Sequence, residues 1–198
     1  MSSPTRSRLS SDERRRQLLG IGLRMLVERP IQELSVDAVA AEAGISRGLL
    51  FHYFPTKADY HDAVIGAASR RMLRNTAPDE DAGPDQAVAQ FVRRFYEQIE
   101  RRRDFYLALV FGAGALSLGG DRVENMRQRF AERLGAVLEL DAAQLAAVRG
   151  WAAYVEDRAL NWSDPAHVGR RPLDDEVTHC AAALTALLAL SGGDDGHP

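Results

Sequence analysis

The stretch that most constrains this chain is residues 35–57, SVDAVAAEAGISRGLLFHYFPTK. Val36, Val39, Ala40 and Ala43 recur at i, i+3, i+4 and i+7, which marks one apolar face of a helix. Ser35 stands just ahead of that face as an N-cap, its hydroxyl able to accept a backbone N–H left free by the first turn. Gly44 follows, and glycine enters the left-handed conformation that ends a helix at little cost. Ile45, apolar within the turn, is expected to plug the angle between two helices. Ser46 caps a second helix, on which Leu50, Tyr53 and Phe54 share a side before Pro55 stops it.

The other side of that second helix carries Arg47, Gly48, Leu49, Phe51 and His52, more than so short a helix can hide. Two helices joined by a glycine-containing turn, the second presenting its N-terminal residues outward, form a helix-turn-helix whose second helix enters a DNA major groove. An ordinary helical hairpin inside an all-α core satisfies the same spacing. The next helix opens at Thr56-Lys57-Ala58-Asp59, with Thr56 and Asp59 placed for a capping box. A lysine in a first turn opposes the helix dipole, at a cost of roughly a few tenths of a kcal/mol. Contact between Lys57 and a phosphate accounts for that placement; an exposed, solvated lysine is the other reading.

These residues resemble the DNA-binding region of TetR-family transcriptional regulators. The family pattern runs from an N-cap Ser or Thr, through an Ala-Gly turn and a Gly-x-Leu-Tyr-x-x-Phe recognition helix, to a Lys opening the fourth helix. This chain supplies Ser35, Ala43-Gly44-Ile45-Ser46, Gly48-Leu49-Leu50-Phe51-His52-Tyr53-Phe54 and Lys57, and the similarity extends over roughly residues 11–74. Phe51 departs from it. The family usually has a Tyr there, whose hydroxyl commonly reaches a phosphate, and Phe51 is left to pack against sugar or a thymine methyl. The expected DNA-facing set is Ser35, Ser46, Arg47, Gly48, Leu49, Phe51, His52 and Lys57, with Arg47 the best candidate for reading guanine.

Composition fits this reading. Of the 198 residues, 45% are hydrophobic and 27% charged, as in a globular protein with a real core. No apolar run reaches the roughly 18 residues of a membrane span, and the N-terminus lacks the apolar centre of a secretory signal. The single cysteine, Cys180, excludes an internal disulfide, and a cytoplasmic location is expected. The formal charge of −3 is unevenly spread: residues 1–76 hold 12 Arg and Lys against 8 Asp and Glu, so the remainder holds 13 against 20. A basic front on an acidic body suits a chain of which one end touches nucleic acid.

In chain order, residues 1–9 read as a disordered arm with Arg6 and Arg8. Residues 10–55 form the three-helix head. Its first helix is capped at Ser10 and lined by Leu18, Leu19, Ile21, Leu23, Met25 and Leu26. Arg14, Arg15 and Arg16 look like a solvated charge run. Residues 56–76 form a connecting helix, 76–84 an acidic Pro- and Gly-containing loop, 77–191 an all-helical body and 192–198 a flexible tail. The fold class is all-α with about nine helices, among them 85–102, a glycine-interrupted apolar helix at 105–118, and one starting near 121. No phosphate-binding loop, metal-ligand cluster or nucleophile motif is present in the sequence, so no cofactor, metal or catalytic residue is expected.

The resemblance implies a homodimeric regulator, most often a repressor, that leaves a palindromic operator when a small molecule enters the body. Phe91, Phe95, Phe105, Leu109, Met126, Trp151 and Tyr154 would give an apolar pocket for a hydrophobic or aromatic effector. The last two long helices resemble the family's dimerisation pair, with Trp162, Cys180, Ala181, Leu184 and Leu188 as candidate interface residues. A helical carrier protein that holds an apolar ligand and ignores DNA is the alternative.

Overall fold

The structure is a computed structural model, described at residues 9–28, 31–111 and 120–192. Residues 1–8 of the basic arm expected over 1–9, the glycine-rich stretch 112–119 and the tail from 193 onward lie outside the described residues, as does the side chain of Leu109. The described residues form eight α-helices: α1 Ser11–Glu28, α2 Val36–Ala43, α3 Arg47–Tyr53, α4 Lys57–Asn75, α5 Pro84–Phe111, α6 Gly120–Leu138, α7 Ala142–Trp162 and α8 Leu173–Ser191. By compactness the chain divides within α4, between Ala68 and Ser69.

The caps expected from sequence are formed. Ser10 and Glu13 make a reciprocal pair at the start of α1, with Ser10 N–H donating to Glu13 Oε2 at 2.8 Å and Glu13 N–H to Ser10 Oγ at 3.3 Å. Ser35 Oγ accepts from Ala38 N–H at 3.4 Å. Gly44 takes φ 66°, ψ 36°, and the N–H groups of Gly44 and Ile45 close the end of α2 on Ala41 and Ala40 carbonyls. Thr56 and Asp59 satisfy one another's N–H groups at 2.9 and 3.0 Å.

In the first unit Leu18, Ile21, Val39, Leu50, Phe54, Tyr60 and Val64 are almost fully buried. Burial of each large apolar side chain contributes about 1.5–3 kcal/mol. Tyr60 reaches across this core and donates its hydroxyl to the Leu18 carbonyl at 2.8 Å, while its ring meets Phe54 edge-on. Gly22 makes the approach of α1 and α4 possible: a Cβ there would stand 2.5 Å from the Tyr60 hydroxyl and 2.8 Å from Val64 Cγ2.

In the second unit α7 packs against α5, α6 and α8. Helix α5 runs through what the sequence suggests as two helices. Arg102 breaks it with φ −143°, ψ 33°, without a proline or glycine, so the expected stop becomes a kink. Its two neighbours are tied: Arg103 pairs with Asp164 at 2.9 Å and Arg101 with Glu97 at 3.7 Å. The 77–83 loop is held to α5, since Arg94 donates to the Ala77 carbonyl and pairs with Asp79 at 2.6 Å.

A buried polar network crosses this unit. Glu176, 3% exposed, accepts from Tyr96 Oη at 2.9 Å and from Arg158 Nε and Nη2 at 2.9 and 2.6–2.7 Å. Burial pushes the Glu176 carboxyl up, but the hydrogen bonds from Arg158 and Tyr96 outweigh it and hold the group below its ordinary value. Trp151 Nε1–H donates to the Cys180 carbonyl at 2.8 Å, and burial raises the Cys180 thiol, which behaves as a small core residue.

Candidate nucleic-acid interface

Helix α3 is seven residues long and is seated by Leu50 within it and by Phe54 at its C-cap. Leu50 and Phe54 are 0% and 1% exposed, and Tyr53 is half-buried. Ser46 Oγ accepts from Leu49 N–H at 3.2 Å and so fixes the first turn. With Leu50 held inward, Ser46, Arg47, Gly48, Leu49 and His52 are all exposed and Phe51 is half-buried. Leu49 is 40% exposed. A Cβ on Gly48 would meet nothing closer than Ser46 Oγ at 3.9 Å, so no packing inside the head demands glycine there. Ser35 and Lys57, at the starts of α2 and α4, are exposed as well. The eight residues expected to face DNA therefore lie at helix starts or on the outer side of α3.

Two charged side chains behave differently from their sequence appearance. Arg47 Nη1 donates to both carboxylate oxygens of Asp37, at 3.1 and 2.9 Å, and its guanidinium lies 5.3 Å from the Phe51 ring centroid. Arg15 is not simply part of a solvated run. It donates from Nη1 to the Tyr53 carbonyl at 2.8 Å and lies over the Phe54 ring, 4.3 Å from its centroid. Sequence offers no signal for that contact, since 38 residues separate Arg15 from Tyr53.

The expected pocket residues are only partly gathered. Phe91, Phe95, Met126 and Trp151 lie in one buried cluster, with Phe91 5.9 Å from Phe95 and 5.7 Å from Trp151 between ring centroids. Phe105 is half-buried. Tyr154 is not in that cluster: it is 37% exposed, shares a 2.5 Å hydrogen bond with His179, and lines an open cleft of about 290 Å³ with Arg158, Trp162 and Arg170. Phe130 and Tyr106 belong to the same cluster and Glu156 lies beside it, none of the three having been among the expected lining residues. Phe130 lies 5.1 Å from Phe91 and Tyr106 6.1 Å from Phe95 between centroids. Glu156, 4% exposed, accepts from Arg127 Nε at 2.9 Å. The Tyr106 hydroxyl is buried without a hydrogen-bond partner among the described residues, and burial and the Glu156 carboxylate hold it well above its ordinary pKa.

Three of the five candidate dimer residues are buried within the unit itself. Trp162, Cys180 and Leu184 are 8%, 0% and 2% exposed and belong to the core of the unit; Cys180 and Leu184 present no face outward, and Trp162 only an edge to the cleft beside Arg170. Ala181 and Leu188 are half-buried. The large apolar residues that α8 leaves open are Leu187 and Leu190, 37% and 79% exposed, beside the exposed Ala182, Ala186 and Ala189. The reason is that the richest apolar stripe of a two-sided helix goes to the core first.

No helix among the described residues is long and apolar enough to cross a membrane. No group of three or more His, Cys, Asp or Glu among them could hold a metal ion.

Comparisons with known proteins agree with this geometry. The family model for bacterial regulatory proteins of the tetR family matches residues 18–64, which run from within α1 into the first half of α4. The HTH-type transcriptional regulator BetI of Brucella suis is 36% identical over 181 residues, covering 88% of this chain and 87% of that protein. The HTH-type transcriptional regulator EthR of Mycolicibacterium smegmatis is 30% identical over 93 residues, 46% of this chain and 43% of its own. A tetR-family transcriptional regulator from Streptomyces coelicolor superposes with a TM-score of 0.74 at 27% identity, over 94% of this chain and 85% of that one. With the head, the exposed α3 and the near full-length similarity in agreement, the chain belongs to the TetR family of bacterial regulatory proteins.

Proposed function

We propose that this chain is a ligand-responsive transcription regulator, a repressor that binds a palindromic operator as a homodimer. The observation that carries this reading is the outer side of α3: Arg47, Gly48, Leu49 and His52 are exposed while Leu50 and Phe54 are buried beneath it. Such a helix enters a major groove N-terminus first, and Ser35 and Lys57 flank it at two further helix starts where phosphate is favoured. Two heads read successive grooves when they stand about 34–36 Å apart, which calls for a dimer. The outer side of α8, with Leu187 and Leu190, is the surface we assign to the partner copy.

The effector is proposed to enter the second unit among Phe91, Phe95, Trp151 and their neighbours. The apolar character of that lining suits an apolar compound, and the buried Tyr106 hydroxyl beside Glu156 would take one polar group of it. Release follows from differential affinity: the compound favours a dimer geometry in which the heads no longer fit adjacent grooves. Helix α4 contributes residues to both units and gives the coupling a covalent route.

Selection of duplexes from a random pool tests the reading. A palindrome with half-sites about one helical turn apart is the expected product, and Arg47→Ala should weaken binding by about 1–3 kcal/mol with relaxed preference at one base pair. Enrichment of no duplex, with retention of an apolar compound, would favour a carrier instead.

A further inference from the structure

Arg47 is exposed at the first residue of α3, yet its guanidinium is held. Asp37, the second residue of α2, takes Nη1 through both carboxylate oxygens at 3.1 and 2.9 Å, and the Phe51 ring stands 5.3 Å away. A guanidinium offers five N–H donors in a rigid plane. The carboxylate engages Nη1 alone, so the edge formed by Nε and Nη2 stays open. That edge has the two-donor spacing that pairs with O6 and N7 of guanine. Phe51, without a hydroxyl to offer a phosphate, faces the guanidinium instead. Asp37 itself repels phosphates, so its contribution to binding any duplex is unfavourable and independent of sequence. Its place in the first turn of α2 favours that helix; any benefit to duplex binding has to come through the arginine.

Resting on the DNA-binding reading above, we propose that Asp37 is a positioning residue for base selection. Together with Phe51 it fixes the Arg47 guanidinium so that the Nε/Nη2 edge meets a guanine. Sequence preference is then set by α2 and α3 jointly, although Asp37 touches no base.

The test uses the full-length protein and a duplex that it selects from a random pool. Fluorescence anisotropy is measured on that duplex, on variants in which each G·C pair is replaced singly, and on a scrambled duplex. Asp37→Asn is expected to lower discrimination at one G·C pair per half-site by about tenfold. Binding of the scrambled duplex should be unchanged or tighter, because a negative charge has gone. Asp37→Glu should restore part of the discrimination. In an Arg47→Lys background, Asp37→Asn should change discrimination at that pair by less than about twofold, since the fork it positions is absent. Asp37→Ser is the second variant should Asn lower the melting temperature of the head. Tighter binding of the selected duplex by Asp37→Asn with discrimination intact at every pair would overturn the proposal, for Asp37 would then merely sequester the arginine. An unchanged base profile would overturn it too. A wild-type protein that selects no duplex sinks the DNA-binding reading and this inference together; a wild type that selects and discriminates, matched throughout by Asp37→Asn, sinks this inference alone.

Discussion

The Arg15 guanidinium lies 4.3 Å from the centroid of the Phe54 ring, and its Nη1 donates to the carbonyl next to it, that of Tyr53, at 2.8 Å. A residue of α1 thus closes the C-terminal end of α3, where carbonyls lack partners within the helix. Arg15→Ala removes the hydrogen bond and the ring contact and should destabilise α3 by about 1–2 kcal/mol. Hydrogen exchange at the Leu50 and Phe54 amides, which bond to the Ser46 and Leu50 carbonyls, should accelerate accordingly. Arg15→Lys should recover less than half of the loss, because an ammonium lacks the planar face.

The Arg158–Glu176 pair carries the corresponding prediction for the second unit. Arg158→Ala leaves a 3% exposed carboxylate with Tyr96 as its donor and only the more distant Arg171, at 3.8 Å, as a cation, and should cost about 3 kcal/mol. The pair also sets an acid limit. The folded Glu176 carboxyl lies below its ordinary 4.5, so the unfolded chain takes up the proton first as pH falls. The stabilisation is complete above about pH 4.5 and is lost as pH drops through the folded value. Urea denaturation at a series of pH values should show that loss in the wild type and a flatter acid limb in Glu176→Gln.

His61 gives the head its own pH dependence. Its Nε2 donates to the Leu34 carbonyl at 3.0 Å, and burial lowers its pKa from the ordinary 6.5. The unfolded head therefore binds a proton at higher pH than the folded one. The head keeps its full stability above about pH 6.5 and loses part of it as pH falls through the folded value. Exchange protection of head amides, corrected for intrinsic rates, should fall between pH 7.5 and 5.5 in the wild type and fall less in His61→Gln, which keeps a donor without a titration.

What sequence revealed about this molecule was mostly local. The caps at Ser10, Ser35, Ser46 and Thr56 and the left-handed Gly44 depend on residues within a few positions of each other, and the outer side of α3 follows from where Leu50 and Phe54 must point. Long-range pairs were not legible. Glu176 reads as an acid complementing the α8 dipole until Tyr96, 80 residues earlier, is placed against it. Arg47 reads as free until α2 brings Asp37 across the turn. Trp162 and Leu184 read equally well as core or as partner surface, because an apolar stripe does not declare which neighbour covers it. The kink at Arg102 has no proline or glycine to announce it.

The central claim, that the outer side of α3 is built for a nucleotide duplex, is tested most directly by the salt dependence of anisotropy with a selected duplex and its scrambled counterpart. The account predicts a linear fall in log affinity with log salt, on the order of 0.9 per phosphate contacted, and tighter binding of the selected duplex. Lys57→Ala should lower that slope by about one for each head while leaving base preference alone, and Arg47→Ala should erase the preference at one pair. Binding that ignores salt, fails to separate the two duplexes and is unaltered by either substitution would contradict it.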